Sequence, residues 1–310
     1  MQKKKFVKIA RNHTDHFSTK LQSFPALASA LIQTLLYCFF SICLLSPATS
    51  SAANPENGKA SVWREASSGT AKGVALLIGG LNNKPEIMSD LADELHALGY
   101  HTRMVRLTGH ETDTDWPSVD YAEAWREDLS QATQDAKTRY PALPRVVVAY
   151  SLGATVALAE ASNESDLFKA GIFFAPAIGL KFHALLIRLT LPLRIFSLNL
   201  PSIAPEKWRA HNSTAVLAYK GLFDLIEQIV AERIQALPLC FILDPKDELV
   251  STLNTARWAS SHSLEHVRLI ENSTEQAVRR HLLVDRAMRG EKSWSQIRQA
   301  LASCLPQDLK

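Results

Sequence analysis

From residue 60 onward, short apolar runs alternate with stretches whose apolar residues recur every three or four positions. Six runs read as strands: 73–81, 101–108, 145–150, 170–178, 239–244 and 266–270. Several of them (GVALLIGGL, RVVVAY, LCFILD) are apolar at nearly every position, which suits strands buried on both faces of a parallel sheet. Between them, 86–98 places Ile87, Leu91, Leu95 and Leu98 at helical spacing, and 121–138 places Ala124, Leu129 and Ala132 on one side. Residues 153–161 are rich in alanine, 253–261 carry a weaker pattern, and 293–303 repeat Trp294, Ile297 and Leu301. Alternation of this length predicts an α/β fold, a doubly wound and mostly parallel sheet with right-handed crossovers.

One connection breaks the rhythm. Residues 179–238 are too many for a plain crossover in a compact domain. They are apolar and helical in character (Leu185, Ile187, Leu189, Leu191, Leu193, then Leu222, Phe223, Leu225, Ile226), divided by Pro192, Pro201 and Pro205. The expected element is a helical cap inserted over the carboxyl edge of the sheet.

Charge changes the picture at the N-terminus. The 310 residues carry 34 Lys+Arg and 31 Asp+Glu, a net +3. Residues 1–25 hold six basic residues against Asp15, a net +5, and 26–53 hold no charge; residues 54–310 then carry 28 basic and 30 acidic residues. Nothing in that larger part suggests a nucleic-acid footprint. A basic stretch, an apolar run at 26–45 (ALASALIQTLLYCFFSICLL) and the small residues Ser46–Ala53 are the three parts of a secretory signal peptide. The run is also long enough for an uncleaved membrane anchor. Either way residues 1–53 form the leader, 54–310 are expected outside the cytoplasm, periplasmic or secreted, and membrane association would pass through 26–45. Only Cys240 and Cys304 remain in the exported part. Cys240 is expected to pack as a small hydrophobe, with a Cys240–Cys304 bridge as the alternative in an oxidising compartment.

Chemistry concentrates at strand ends. RVVVAYSLGATVALAEA runs from a buried strand through Ser151 into an alanine-rich helix, the context of a nucleophile elbow, G-x-S-x-G, here with Ala149 at the first position and Gly153 at the last. By itself Ser151 could equally be a helix N-cap. A serine nucleophile needs a general base, and the base an orienting carboxylate. The next two strands supply them in the right order. Asp244 and Asp247 follow 239–244, and His281 follows 266–270. Gly79-Gly80-Leu81 after the first strand offers a backbone N–H for an oxyanion hole, with Leu152 N–H as the second donor. His110 precedes the elbow and reads as structural. No cluster has metal-ligand spacing, and Gly79-Gly80 belongs to no dinucleotide or phosphate-loop pattern. No cofactor or metal is expected.

These residues resemble the α/β-hydrolase superfamily, in particular its carboxylesterase and monoacylglycerol-lipase-like members. The stretch LLIGGLNNKPEIMSDLADELHALGYHTRMVRLTGH resembles their strand, oxyanion loop, first helix and next strand. Arg106-Leu107-Thr108-Gly109-His110-Glu111 echoes a turn of theirs, and Trp125 and Asp128 match the helix before the elbow. Their acid loop reads roughly Gly-x-x-Asp-x-x-Val, which selects Asp247 with Val250 and leaves Asp244 as the rival acid. Where they carry His-Gly-Phe/Trp, this chain has Gly79-Gly80-Leu81. The resemblance implies an α/β-hydrolase fold with a cap and a serine hydrolase that cleaves esters of apolar, lipid-like acyl groups through Ser151, His281 and Asp247, with Leu81 and Leu152 holding the oxyanion. Thioester, amide and acyl-transfer chemistry use the same site, and a non-catalytic, membrane-tethered binding protein is the reading from another class. Oligomeric state is not legible.

Overall fold

The computed structural model describes residues 63–66, 71–112, 114–164, 166–196, 198–264, 266–270 and 279–306. All fall in one compact unit, Pro55–Lys310. The expected leader, 1–53, lies outside the described residues. Among the described residues no helix is long and apolar enough to cross a membrane.

Seven strands form one sheet: β1 (Trp63–Arg64), β2 (Gly73–Ile78), β3 (Tyr100–Val105), β4 (Arg145–Tyr150), β5 (Ala170–Phe174), β8 (Leu239–Leu243) and β9 (His266–Leu269). Their order is β1-β3-β2-β4-β5-β8-β9; β1 runs antiparallel to β3, and every other pair is parallel. The near-continuous apolar runs have a direct cause. Successive side chains point to opposite faces, and both faces are covered. Val74, Leu76 and Ile78 enter one core with Trp125, Leu129, Val156 and Leu222; Ala75 and Leu77 enter another with Leu91, Leu95, Trp294, Ile297 and Leu301. The first core takes helices α2 (Tyr121–Arg139), α3 (Leu152–Ala161) and α5 (Val216–Gln228); the second takes α1 (Ser89–Ala97) and α8 (Arg286–Cys304). Asp120 caps α2, accepting from Ala122 N–H and Glu123 N–H, and Asp285 caps α8 through Met288 N–H. Each cap satisfies N–H donors that the first helical turn leaves unpaired.

The fold is the expected doubly wound α/β sheet. Except for β4, which matches its run, the strands stop short of the C-terminal ends of the apolar runs. Gly79-Gly80-Leu81, Leu107 and Ala175–Ala177 are loop residues, largely buried, because an apolar run reports burial rather than extension. The two-residue β1 carries no periodicity to read. The insertion after β5 is helical, with α4 (Phe182–Leu185), a 3-10 segment (Leu186–Phe196), α5 and α6 (Ala231–Ile234), but it also holds an antiparallel hairpin, β6 (Asn199–Pro201) with β7 (Ser213–Ala215). Helix α7 (Thr252–Ser261) completes the set. Cys240 is buried on β8, yet it is not free: it is joined to Cys304 at the end of α8, Cα atoms 5.9 Å apart. The helix packs on the face that carries Cys240, so the alternative pairing is the one realised.

Candidate active site

β4 ends at Tyr150, and Ser151 follows with φ 51° and ψ −113°, a conformation that strains any L-residue with a Cβ. Neighbours hold it there. Ser151 N–H donates to Phe174 O at 2.9 Å, Gly153 N–H to Gly79 O at 3.0 Å, and Ala177 N–H to Ser151 O at 3.2 Å. Gly153 is a steric requirement: a Cβ there would stand 2.6 Å from both Gly79 O and Ile78 O. Ser151 is not a capping serine. Its side chain makes no cap bond, and its Oγ stands 2.9 Å from His281 Nε2.

His281 Nδ1 lies 2.8 Å from Asp247 Oδ2. Both residues are buried. The other oxygen, Oδ1, accepts the N–H groups of Leu249 and Val250, each at 2.8 Å. Those bonds fix the plane of the carboxylate. His281 N–H donates to Glu248 Oε2 at 3.0 Å, so consecutive carboxylates grip one histidine, by ring and by backbone. Lys181 Nζ donates to Asp247 O.

Asp244 is directed elsewhere. Its Oδ2 is 2.8 Å from Arg289 Nη2, both side chains essentially inaccessible, and its Oδ1 accepts Lys246 N–H at 2.8 Å. Arg289 Nη1 in turn donates to Arg280 O at 3.3 Å, bracing the turn that carries His281.

The loop after β2 is a tight turn beside the elbow. Asn83 N–H donates to Gly80 O, and Leu81 lines a cavity with Ser151 and His281. Leu152 is the first residue of α3, where N–H groups have no partner within the helix. His110, buried, accepts Asn82 N–H at Nε2 (2.8 Å), and its Nδ1 faces Thr108 O at 3.4 Å. Burial lowers its pKa to about 4, with the nearby His211 adding to the shift. The turn carrying His110 is held from α2: Trp125 Nε1 donates to Thr108 O at 2.8 Å, and Asp128 accepts Thr108 N–H at 2.6 Å. The Asp128 carboxyl is raised by its burial, against the lowering effect of the Thr108 bonds.

The cavity holds about 80 Å³. Its walls come from Leu81, Tyr150, Glu248, Leu249, Arg279 and Leu282, and from Ser202–Pro205, Thr214 and Tyr219 of the insertion. Sequence patterning marks none of these insertion residues, nor His211: Ser202–Pro205, His211 and Thr214 reach the site through the β6–β7 hairpin, which leaves no periodic signal, and Tyr219 through one turn of α5. The apolar residues of the insertion divide: Leu222, Phe223 and Leu225 are buried in the core, whereas Leu189 is 73% and Phe182 77% exposed. The Tyr150 ring packs at 5.2 Å from that of His281, and burial pushes its hydroxyl well above the ordinary value, helped by the charges of Asp247 and Glu248. Among the described residues no group of His, Cys, Asp or Glu could hold a metal ion.

The family model described as serine aminopeptidase, S33, matches residues 69–220, which spans β2 through the elbow into the insertion. Solved structures share the fold at low identity. A monoglyceride lipase from Saccharomyces cerevisiae superposes with a TM-score of 0.64 at 14% identity, over 83% of this chain and 97% of that one. A monoacylglycerol lipase from Paleococcus ferrophilus gives 0.61 at 14%, over 80% and 100%. A thermostable carboxyl esterase from Bacillus coagulans gives 0.59 at 14%, over 78% and 93%. No curated protein matches the chain. The sheet order, the strained serine between β4 and α3 and the family match over residues 69–220 agree on one conclusion: the chain has the α/β-hydrolase fold.

Proposed function

We propose that the chain is a serine hydrolase that cleaves carboxylic esters of apolar acyl groups, with Ser151 as nucleophile, His281 as general base and acid, and Asp247 as the orienting carboxylate. The observation that carries this reading is the hydrogen-bond chain from Ser151 Oγ through His281 to Asp247, 2.9 Å and 2.8 Å, beginning at a serine held at positive φ. Ser151 Oγ attacks the acyl carbon while its proton passes to His281 Nε2. Asp247 keeps the proton on Nδ1 and stabilises the imidazolium that forms. The carbonyl electron pair moves to oxygen, where Leu81 N–H and Leu152 N–H receive it at the positive end of α3. Collapse expels the alcohol, protonated by His281, and leaves the acyl group on Ser151. Water then repeats the sequence, with His281 taking its proton, and releases the acid.

Lipases and an esterase among the similar folds support the ester substrate. The family description names an aminopeptidase, and the same residues would attack an amide. A fluorophosphonate probe tests the assignment: Ser151 is labelled in the native chain, and Ser151→Ala abolishes both labelling and ester turnover. Equal labelling of that variant would sink it. Matched nitrophenyl ester and anilide substrates separate the bond types.

Export is proposed on different grounds. The +5 segment followed by the uncharged run at 26–45 has the make-up of a signal or anchor, and a Cys240–Cys304 bridge suits an oxidising compartment. Fractionation of cells making the full chain, with N-terminal sequencing of the product, distinguishes cleavage from anchoring; activity confined to the cytoplasm would end the proposal.

A further inference from the structure

Asn82 occupies the third position of the turn that presents Leu81, with φ 56°. Glycine or aspartate would also tolerate that backbone, so the turn does not explain an amide. The side chain does. Asn82 is 1% exposed. Its Nδ2 donates to Ser202 Oγ at 2.9 Å, His211 O at 2.8 Å and Thr214 Oγ1 at 3.1 Å, with Ser213 O at 3.3 Å; its Oδ1 accepts His211 N–H at 2.8 Å. Its backbone carbonyl accepts Ala210 N–H at 3.0 Å, and its N–H is held by His110 Nε2. An amide combines donors and an acceptor on one planar group; a carboxylate here would press oxygen against two backbone carbonyls.

Every side-chain partner lies in 202–214, within the insertion. Ser202 and Thr214 line the cavity, as do Leu81 and Asn83 on either side of Asn82. Asn82 therefore sits behind the wall and fastens the turn to the insertion. An oxyanion donor works at 2.7–3.1 Å from the developing charge, so a small drift of the turn takes the Leu81 N–H out of range. We infer that Asn82 is a positioning residue that aims the Leu81 N–H by tying it to the insertion, so that the seating of residues 202–214 sets the strength of oxyanion stabilisation. This rests on the serine-hydrolase reading above.

The test uses the full chain as wild type, Asn82→Asp, Ser202→Ala and Ser151→Ala. Steady-state turnover of a short-chain nitrophenyl ester is measured beside inhibition by a trifluoromethyl ketone, which becomes an oxyanion when a nucleophilic serine adds to it. Asn82→Asp keeps the volume and the backbone preference but removes the donors. It should lower kcat about 30- to 100-fold, below the full loss of a donor, with KM within about threefold. Ketone affinity should fall by the same factor as kcat/KM. Ser202→Ala should move both in the same direction by a few-fold. A kcat/KM for Asn82→Asp within twofold of wild type overturns the role, and so does a loss of kcat/KM with unchanged ketone affinity. If Asn82→Asp does not fold, Ser202→Ala decides alone: unchanged ketone affinity overturns the inference. Wild-type protein that neither turns over ester nor takes the fluorophosphonate label overturns the enzyme reading, and this one with it. A labelled, active wild type with an indifferent Asn82→Asp overturns only the role of Asn82.

Discussion

Two aspartates three residues apart have opposite surroundings, and substitution should separate them. Asp247 touches the imidazole of His281, so Asp247→Asn should lower kcat by roughly 10⁴-fold while leaving the thermal midpoint close to wild type. Asp244 balances Arg289, which is wholly buried. Asp244→Asn should destabilise the fold by about 3–5 kcal/mol, because an unpaired guanidinium is left inside, yet the folded fraction should still hydrolyse ester. Denaturant titration beside steady-state kinetics distinguishes the outcomes; the reverse pattern would exchange the two roles. His110 makes a pH prediction. Its pKa is held near 4 in the fold against an ordinary 6.5, so between those values the unfolded chain binds the extra proton. Stability from this group is therefore complete above about pH 6.5, declines as pH falls toward 4, and declines no further below it. The span is about 3 kcal/mol. Unfolding of wild type and His110→Gln at pH 7 and pH 4.5 should show a smaller pH loss in the variant, whose amide oxygen still accepts the Asn82 N–H.

At the scale of elements, the elbow joins a buried strand to a buried helix at van der Waals limits. Gly153→Ala would drive a Cβ into two backbone carbonyls that cannot move aside. Overpacking of this kind costs about 1–3 kcal/mol, and because Ser151 is two residues away, kcat should fall with the midpoint. An unchanged kcat would show that the junction relaxes. Much of this level was legible in the sequence. Apolar runs located six strands, since burial on both sides removes polar positions, and strand-end placement singled out Ser151, the pair Asp244 and Asp247, and His281; the structure brings His281 within hydrogen-bond reach of Ser151 and of Asp247. The choice of Asp247 over Asp244 comes from the resemblance to the acid loop of α/β-hydrolases, whose pattern places a Val three residues on; in the structure Val250 N–H is one of the donors on Asp247. What stayed hidden has physical reasons. Glu248, Arg279 and Ser202 act through individual hydrogen bonds to residues far away in the chain, which impose no repeat, and the β6–β7 hairpin is three residues a side, too short for alternation to stand out.

For the whole molecule, the Cys240–Cys304 link closes a loop with a separation of 64 residues. Chain-entropy reasoning assigns such a loop about 4 kcal/mol, so Cys304→Ser or added reductant should lower the unfolding free energy by that amount, seen in a denaturant titration as a lower midpoint; no shift would mean that the thiols are not paired in solution. The cavity makes a second demand. At about 80 Å³ it is well below the roughly 300–1,000 Å³ of clefts that enclose drug-sized ligands. Across a nitrophenyl ester series, kcat/KM should be highest for acyl groups of about two to four carbons and fall by an order of magnitude or more at twelve, since a long chain must displace residues 202–205. A flat series would show that the insertion opens freely. Opening is constrained by a feature already described: residues 80–84 and 202–214 are laced together by Asn82, by the Asn83–Arg209 bridge and by Lys84 N–H on Trp208 O. Amide hydrogens on both segments should therefore exchange with solvent deuterium as one cooperative block. The free energy of that shared opening, read from the exchange of Ala210 and His211, would be the cost that a bulky substrate must offset to enter.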